Sequence, residues 1–121
     1  MAKVILHSGE VYERVFVNEP DLDLHIKQEE GSSVRIVVVN LPEGEAGKFG
    51  ETKNAITIEQ LGKGCQTELY GLAYLRGQDH VETETHVFHR IGGGESKQLF
   101  KFVLADQAQG AFYGALQSAK D

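Results

Sequence analysis

The feature that most constrains the fold of this chain is a period-two alternation of apolar and polar residues that recurs along most of its length. Leu22, Leu24 and Ile26 alternate with polar residues, a similar alternation runs over residues 81–87, and the strand pattern over residues 34–39 is apolar on nearly both sides. Side chains that alternate in this way face opposite sides of a β-strand. No segment of useful length shows the apolar stripe of an amphipathic helix, so the sequence predicts an all-β fold.

Turn residues separate the strand patterns at regular intervals. About nine short strands are compatible with a sandwich, a barrel or a stacked solenoid. The second half repeats a strand followed by a Gly-containing turn, and the Asn-Gly and Asp-Gly pairs that favour hairpins are missing from the sequence. This favours a solenoid or a double-stranded β-helix. The predicted turns are 30–33, 62–64, 76–79, 92–94 and 106–110, with a longer loop over 42–54 and a short helix near 106–109.

Composition narrows the function classes. The 121 residues are enough for one domain, and the net charge of −6 argues against a protein that binds the nucleic-acid backbone. No apolar run approaches the ~20 residues that span a membrane. Met1 leads directly into a strand pattern, so no signal peptide is predicted. The single cysteine, Cys65, has no internal disulfide partner, and the expected location is the reducing cytoplasm.

The C-terminal third carries a resemblance to a known family. A Thr-rich strand leads to a His, a Gly turn, a Ser, a Lys and finally a Phe-x-Gly strand, and this order resembles the SufB/SufD family, its SufD members more than its SufB members. A looser likeness covers the entry segment 17–33. The residues that match the family pattern are His89, Ser96, Lys101, Phe112 and Gly114.

The resemblance implies a right-handed parallel β-helix, a single-stranded solenoid over residues 1–121, with Val81, Thr83, Thr85 and Val87 inside. It also implies a non-catalytic scaffold in iron–sulfur cluster assembly, with SufB and the ATPase SufC as partners and no cofactor of its own. We expect the chain to be an excised fragment, because it stops before the family's C-terminal Cys-x-His-Gly segment and its SufC-binding helices.

The family-matched polar positions His89, Ser96 and Lys101 are the candidates for a role in such a scaffold, and Cys65 is considered beside them. Lys101 interrupts an apolar strand, and in SufB a lysine at the matching place resembles part of a polar path for sulfur; the alternative is a Lys on the solvated face. Phe102 follows it where the family often has Gly. His89 either faces a partner or pathway or bonds backbone groups at the turn. Cys65 either handles sulfur or is a small buried apolar residue.

An alternative function is a cupin-like metal enzyme. His80, Glu82, Glu84 and His86 share one face of a strand and are types that ligate metals. Residues on one face are ~6.6 Å apart along the strand, so four of them cannot converge on one ion. We therefore expect them to pair with neighbouring charges. His86 and His89 are three residues apart and should point to opposite faces, which weakens the cupin hypothesis.

Two further expectations concern nucleotides and association. The triplet Gly92-Gly93-Gly94 has neither a following Lys-Ser/Thr nor a helix, so no phosphate loop is predicted. A final strand over residues 110–117 would leave an open edge and exposed core. Because such ends need a cap, we predict a homodimer through the C-terminal strand.

Overall fold

The computed structural model describes residues 2–41 and 51–118 of the chain. Nine β-strands make up its regular structure, and helices are missing from these two ranges. None of the described residues forms a helix of the length and hydrophobicity needed to cross a membrane. The strands are β1 (Ala2–Leu6), β2 (Val11–Val17), β3 (Asp23–Gln28), β4 (Ser33–Asn40), β5 (Glu51–Gln60), β6 (Gln66–Leu75), β7 (His80–His89), β8 (Glu95–Leu104) and β9 (Gln109–Ser118).

The strands form two sheets in which every pairing is parallel. Sheet A has the order β1-β3-β5-β7-β9, and sheet B has the order β2-β4-β6-β8. Consecutive strands thus lie in different sheets, and the chain returns to each sheet one strand further along. This is a β-helix-like stack of parallel strands, as predicted, and it excludes the antiparallel hairpins of a cupin-like barrel for the described residues.

The register of the strands defines the repeat of the stack. Glu51 pairs with His80, and His80 pairs with Gln109, so the last coils repeat every 29 residues. In the first coil Ala2 pairs with Leu24, a spacing of 22 residues. Because the strands are in register, side chains at the same height on successive strands stack into rows that run across each sheet.

The core lies between the two sheets and is built from these rows. Ile26, Ile58 and Val87 are paired in register, and each of them is 0% exposed; we call them the aliphatic row. Val81, Thr83, Thr85 and Val87 are all buried, which confirms the predicted inner face of β7. The other fully buried aliphatic side chains are Ile36, Ile56, Leu69 and Leu75.

The turn that leads from sheet A to sheet B is stacked in the same way as the strands. Each of four successive turns contains one glycine with a positive φ, between 69° and 85°. Gly31 donates its backbone N–H to Lys63 O at 2.9 Å, and Gly64 donates to Gly93 O at 3.1 Å. A residue with a Cβ is strained at positive φ, so glycine allows the backbone conformation that these stacked turns share.

Two predictions of local structure are wrong. The predicted loop 42–54 ends earlier, because residues 51–54 belong to β5, where Asn54 is fully buried and pairs in register with Thr83. No helix forms near 106–109: Ala108 donates to Ala105 O in a tight turn, and Asp106 has a φ of +59°. The rest of the predicted loop, 42–50, lies outside the described residues.

Candidate functional site

The fold brings two of the three family-matched polar residues, His89 and Ser96, into contact. His89 ends β7 and Ser96 is the second residue of β8, with the glycine-containing turn between them. The imidazole Nε2 lies 3.1 Å from Ser96 Oγ, and both side chains are half-buried. His89 continues the inward-facing series of β7, whereas His86 faces outward, as the spacing of three predicted. The histidine thus contacts a side-chain hydroxyl, where we had considered backbone groups at the turn.

His89 belongs to a row of polar side chains that crosses sheet A inside the stack. Gln28 pairs in register with Gln60, and Gln60 pairs with His89; we call these three residues the polar row. Both glutamines are 0% exposed. The aliphatic row lies two residues earlier on each of the three strands. The interior therefore changes from apolar to polar between one inward-facing position and the next.

The polar row is bonded to the facing edge of sheet B. Thr67 donates its hydroxyl to Gln28 Oε1 at 2.6 Å and accepts from Gln60 Nε2 at 2.9 Å. Gln60 Nε2 also donates to the backbone O of Glu95 at 2.9 Å, next to Ser96. Neutral amides, hydroxyls and one imidazole therefore form a polar path across three coils of the stack.

One atom of this path has no partner. Gln60 Oε1 is completely enclosed and accepts no hydrogen bond from the described residues. Gly94 faces it, and a Cβ at that position would overlap the amide oxygen. The missing side chain at Gly94 therefore leaves room for the buried amide of Gln60. This packing role agrees with the prediction that the glycine triplet is not a phosphate loop.

A surface groove of about 700 Å³ runs along the start of the sheet B strands and reaches the polar path. Thr67 and Ser96 line it, so the two hydroxyls that bond the polar row also border the groove. Its outer wall is a register row of alternating charge, here called the charged row. The charged row consists of Glu13, Arg35, Glu68 and Lys97.

Within the charged row the central pair is joined. Arg35 Nε lies 3.7 Å from Glu68 Oε2, and Tyr70 donates its hydroxyl to Glu68 Oε1 at 3.1 Å. Partial desolvation, the hydrogen bond to Glu68 and the nearby negative charge raise the pKa of Tyr70, in that order of importance. Glu13 and Lys97, on the first and last strands of the sheet, form no ion pair with any described residue.

Lys101 does not join His89 and Ser96. It is exposed on the outer face of sheet B, between Leu99 and Val103, which are 52% and 48% exposed. The structure therefore matches the alternative of a solvated lysine, and it places no Lys101 ammonium in the interior.

The outward-facing residues of β7 form pairs. His80 lies 3.6 Å from Glu82, and His86 lies 2.8 Å from Glu84, whose carboxylate also contacts Lys53 at 3.5 Å. The hydrogen bond from His86, followed by the Lys53 charge, lowers the pKa of Glu84. In the part of the chain that the structure describes, no three His, Cys, Asp or Glu residues are grouped to hold a metal ion.

A third histidine–carboxylate contact on this face was not predicted. His25 Nε2 lies 2.8 Å from Glu59 Oε2, and Arg90 donates to Glu59 Oε1 at 3.0 Å. The hydrogen bond with His25 is the main cause that lowers the pKa of Glu59; desolvation opposes it as the second-largest effect, and the hydrogen bond from Arg90 lowers the pKa further. The three residues lie far apart in sequence, so only the register of β3, β5 and β7 joins them.

Cys65 is fully buried just before β6. Its Sγ lies 3.2 Å from Glu29 O and 3.3 Å from Gly62 O. The thiol thus bonds carbonyl groups at the stacked turns, which agrees with the hypothesis of a small buried side chain.

The two buried glutamines were missed in the sequence, although a signal was present. Residues 24–28 read Leu-His-Ile-Lys-Gln, and residues 56–60 read Ile-Thr-Ile-Glu-Gln. In both segments a Gln takes the third inward position after two aliphatic residues. A comparison of these two strands would have placed both amides on the inner face.

Comparison with known proteins agrees with this architecture. The family model described as "SUF system FeS cluster assembly, SufBD core domain" matches residues 18–121, which is more than half of the chain. No match was found among curated proteins or among solved structures. The parallel two-sheet stack and the family match together show that this chain belongs to the SufBD core domain family of the SUF iron–sulfur cluster assembly system.

Proposed function

We propose that this chain is a SufD-like, non-catalytic scaffold module that works in the cytoplasm with SufB and SufC. The observation that carries the proposal is the family match over residues 18–121. The resemblance of 81–121 to SufD members supports the narrower assignment. A single buried thiol, with no second cysteine, is compatible with a reducing compartment.

The architecture suits a scaffold because, among the described residues, it offers a stack of parallel strands whose outermost edges have no partner strand. β8 and β9 are each hydrogen-bonded to one neighbouring strand among the described residues. An open edge presents N–H and C=O groups that another strand can pair with. We infer that SufB pairs with these edges. We also propose that the coils wind in the right-handed sense, as crossovers between parallel strands of one sheet nearly always do.

The polar path gives this scaffold an interior that differs from a plain aliphatic core. Its groups are amides, hydroxyls and one imidazole, and the groove brings Thr67 and Ser96 within reach of solvent. Such groups can orient polar species by hydrogen bonding, which suits a scaffold.

Binding to SufB tests the proposal. The purified chain is immobilised and exposed to SufB, to SufC and to an unrelated parallel β-helix protein. We expect SufB to be retained at micromolar concentration and the unrelated protein to pass through. Leu116→Asp, at an inward position of β9 that is 56% exposed, should weaken the retention at least about fivefold. Failure of SufB to bind at 50-fold higher concentration, roughly 50 μM, would contradict the proposal.

An activity measurement tests the non-catalytic part. We expect the clean chain to hydrolyse no ATP, because the described residues hold no phosphate loop and no ion-binding cluster. The control is SufC, assayed in parallel. Turnover that co-purifies with the chain through two different columns would refute this expectation.

A further inference from the structure

The outer face of sheet B carries an extended apolar surface that is not covered by any described residue. Three register rows contribute to it beside the charged row. A contiguous apolar surface of this kind on a soluble domain usually marks an interaction site. The side chains of this apolar face are Val15, Val17, Val37, Val39, Tyr70, Leu72, Tyr74, Leu99 and Val103, of which six are more than a third exposed.

The charged row beside this face suggests what covers it. Across the four strands its signs run negative, positive, negative, positive. When such a row is reversed end to end and laid on itself, every charge meets one of opposite sign. The outer residues Glu13 and Lys97 form no ion pair with any residue that the structure describes, and the reversal places them opposite each other.

A two-fold axis parallel to the strands produces this reversal. Rotation about such an axis exchanges β2 with β8 and β4 with β6, and it leaves each residue at its height along the strand. Each register row therefore meets its own copy. Val15 then meets Leu99 of the second copy, and Val37 meets Tyr70. Lys101 meets Val17, and its aliphatic stem can cover that side chain while the ammonium stays in water.

We propose that the apolar face of sheet B is a homodimer interface, in which two copies pack face to face about a two-fold axis parallel to the strands. Four strands ~4.8 Å apart and ~8 residues long give a face of roughly 500 Å² per copy. Two such faces bury about 1,000 Å², which is the lower limit for a specific interface. The net charge of −6 opposes association only weakly, because salt screens charges beyond ~8 Å.

A charge-swap experiment tests this geometry. Glu13→Lys and Lys97→Glu each turn two symmetry-related attractive contacts into repulsive ones. Within one chain the two residues are about 14 Å apart, three strand spacings, so they cannot form an ion pair with each other. If the double variant Glu13→Lys/Lys97→Glu restores dimerisation, the restored ion pairs must therefore lie between copies.

Sedimentation equilibrium of the complete chain, from about 1 to 200 μM, measures the dissociation constant of the dimer. Small interfaces are expected to have dissociation constants in this range. We expect a dimer whose dissociation constant rises about tenfold in each single variant and returns to within about threefold in the double variant. The matched control is Glu82→Lys on the outer face of sheet A, which should leave the dissociation constant unchanged. Far-ultraviolet circular dichroism checks that every variant is folded.

Three outcomes would overturn the proposal. The first is a monomer at the highest concentration. The second is a dimer that the single reversals do not weaken or that the double variant does not restore. The third is a dimer abolished by Leu116→Asp and insensitive to the charge variants, which would place the interface at the C-terminal strand. None of these results depends on binding to SufB, so the proposed scaffold role stands or falls separately.

Discussion

Two adjacent rows inside sheet A differ in how they hold the stack together. The aliphatic row excludes water and makes no hydrogen bonds, so its contribution depends on apolar area and packing. The polar row, two residues further along the same strands, depends on each amide finding its partners. Positions with the same burial can therefore have different sensitivities to substitution. The first three predictions below test this difference, and the fourth extends the comparison to the outer face.

The largest effect is expected from the aliphatic row. Ile58→Ala removes a side chain that is 0% exposed and leaves a cavity between the two sheets. We expect a loss of about 3–4 kcal/mol in the free energy of unfolding, measured by urea denaturation. Thr57→Ala, which faces outward on the same strand, should cost less than about 1 kcal/mol. Equal losses in the two variants would mean that the sheets are not packed as described.

A smaller effect is expected from the centre of the polar row. Gln60→Leu removes the hydrogen bonds to Thr67 and Glu95, but it also removes the Oε1 atom that has no partner. The lost bonds and the relieved acceptor oppose each other, so the net loss should be about 1–2 kcal/mol. Gln66→Leu, at an exposed position, is the control and should change stability by less than about 0.5 kcal/mol. A Gln60→Leu protein more stable than the wild type would show that the row serves another purpose than stability.

Substitutions at the half-buried end of the polar row should lower the free energy of unfolding by a smaller amount still. His89→Ala and Ser96→Ala each remove one side of the 3.1 Å contact, and each should cost about 1 kcal/mol. Because both variants break the same contact, the double variant should cost less than the sum by about 0.5 kcal/mol. Strict additivity in this double-mutant cycle would mean that the two side chains do not interact.

The smallest effect at neutral pH is expected on the outer face, where Glu59 accepts from His25 and Arg90. The pKa of Glu59 is lowered in the folded chain from its ordinary value of 4.5. The stabilisation is therefore complete above pH 4.5 and is lost as the pH falls through the lower folded pKa. Glu59→Gln should cost about 0.5 kcal/mol at pH 7, and its deficit relative to the wild type should shrink between about pH 5 and 3.

Thermal unfolding at several pH values measures this last effect. Glu51→Gln, on the same strand, is a suitable control because the described residues provide its carboxylate with no ion pair. Its deficit should stay near zero at every pH. A Glu59→Gln deficit that grows on acidification would contradict the assigned direction of the pKa shift.

Much of the fold followed from alternation and turn residues. The inner face of β7 was predicted residue by residue, because a period of two assigns each side chain to one face without reference to partners. The loop over 42–54 was overextended because Thr52 and Asn54 are polar. They are buried in β5 by pairing with β7, and local sequence does not report such pairing.

The candidate site was predicted only in part. His89 and Ser96 were both named, but their contact depends on the turn between β7 and β8. Lys101 belongs on the outer face by its alternation with Phe100 and Phe102, and the structure agrees. The two buried glutamines were overlooked because a lone amide in a strand looks like a surface residue until its strand is aligned with another.

The sequence by itself determined that the chain is all-β, which residues face inward on its clearest strands and where it turns, because alternation and backbone strain act over a few residues. Only the tertiary structure decided which residues become neighbours across coils: Gln28 with Gln60 and His89, His25 with Glu59, and the four members of the charged row. Neighbouring members of these rows and pairs are 22 to 34 positions apart in sequence, so local sequence does not report their contact. A slip of one residue in the register of a strand would turn each of its side chains to the other face.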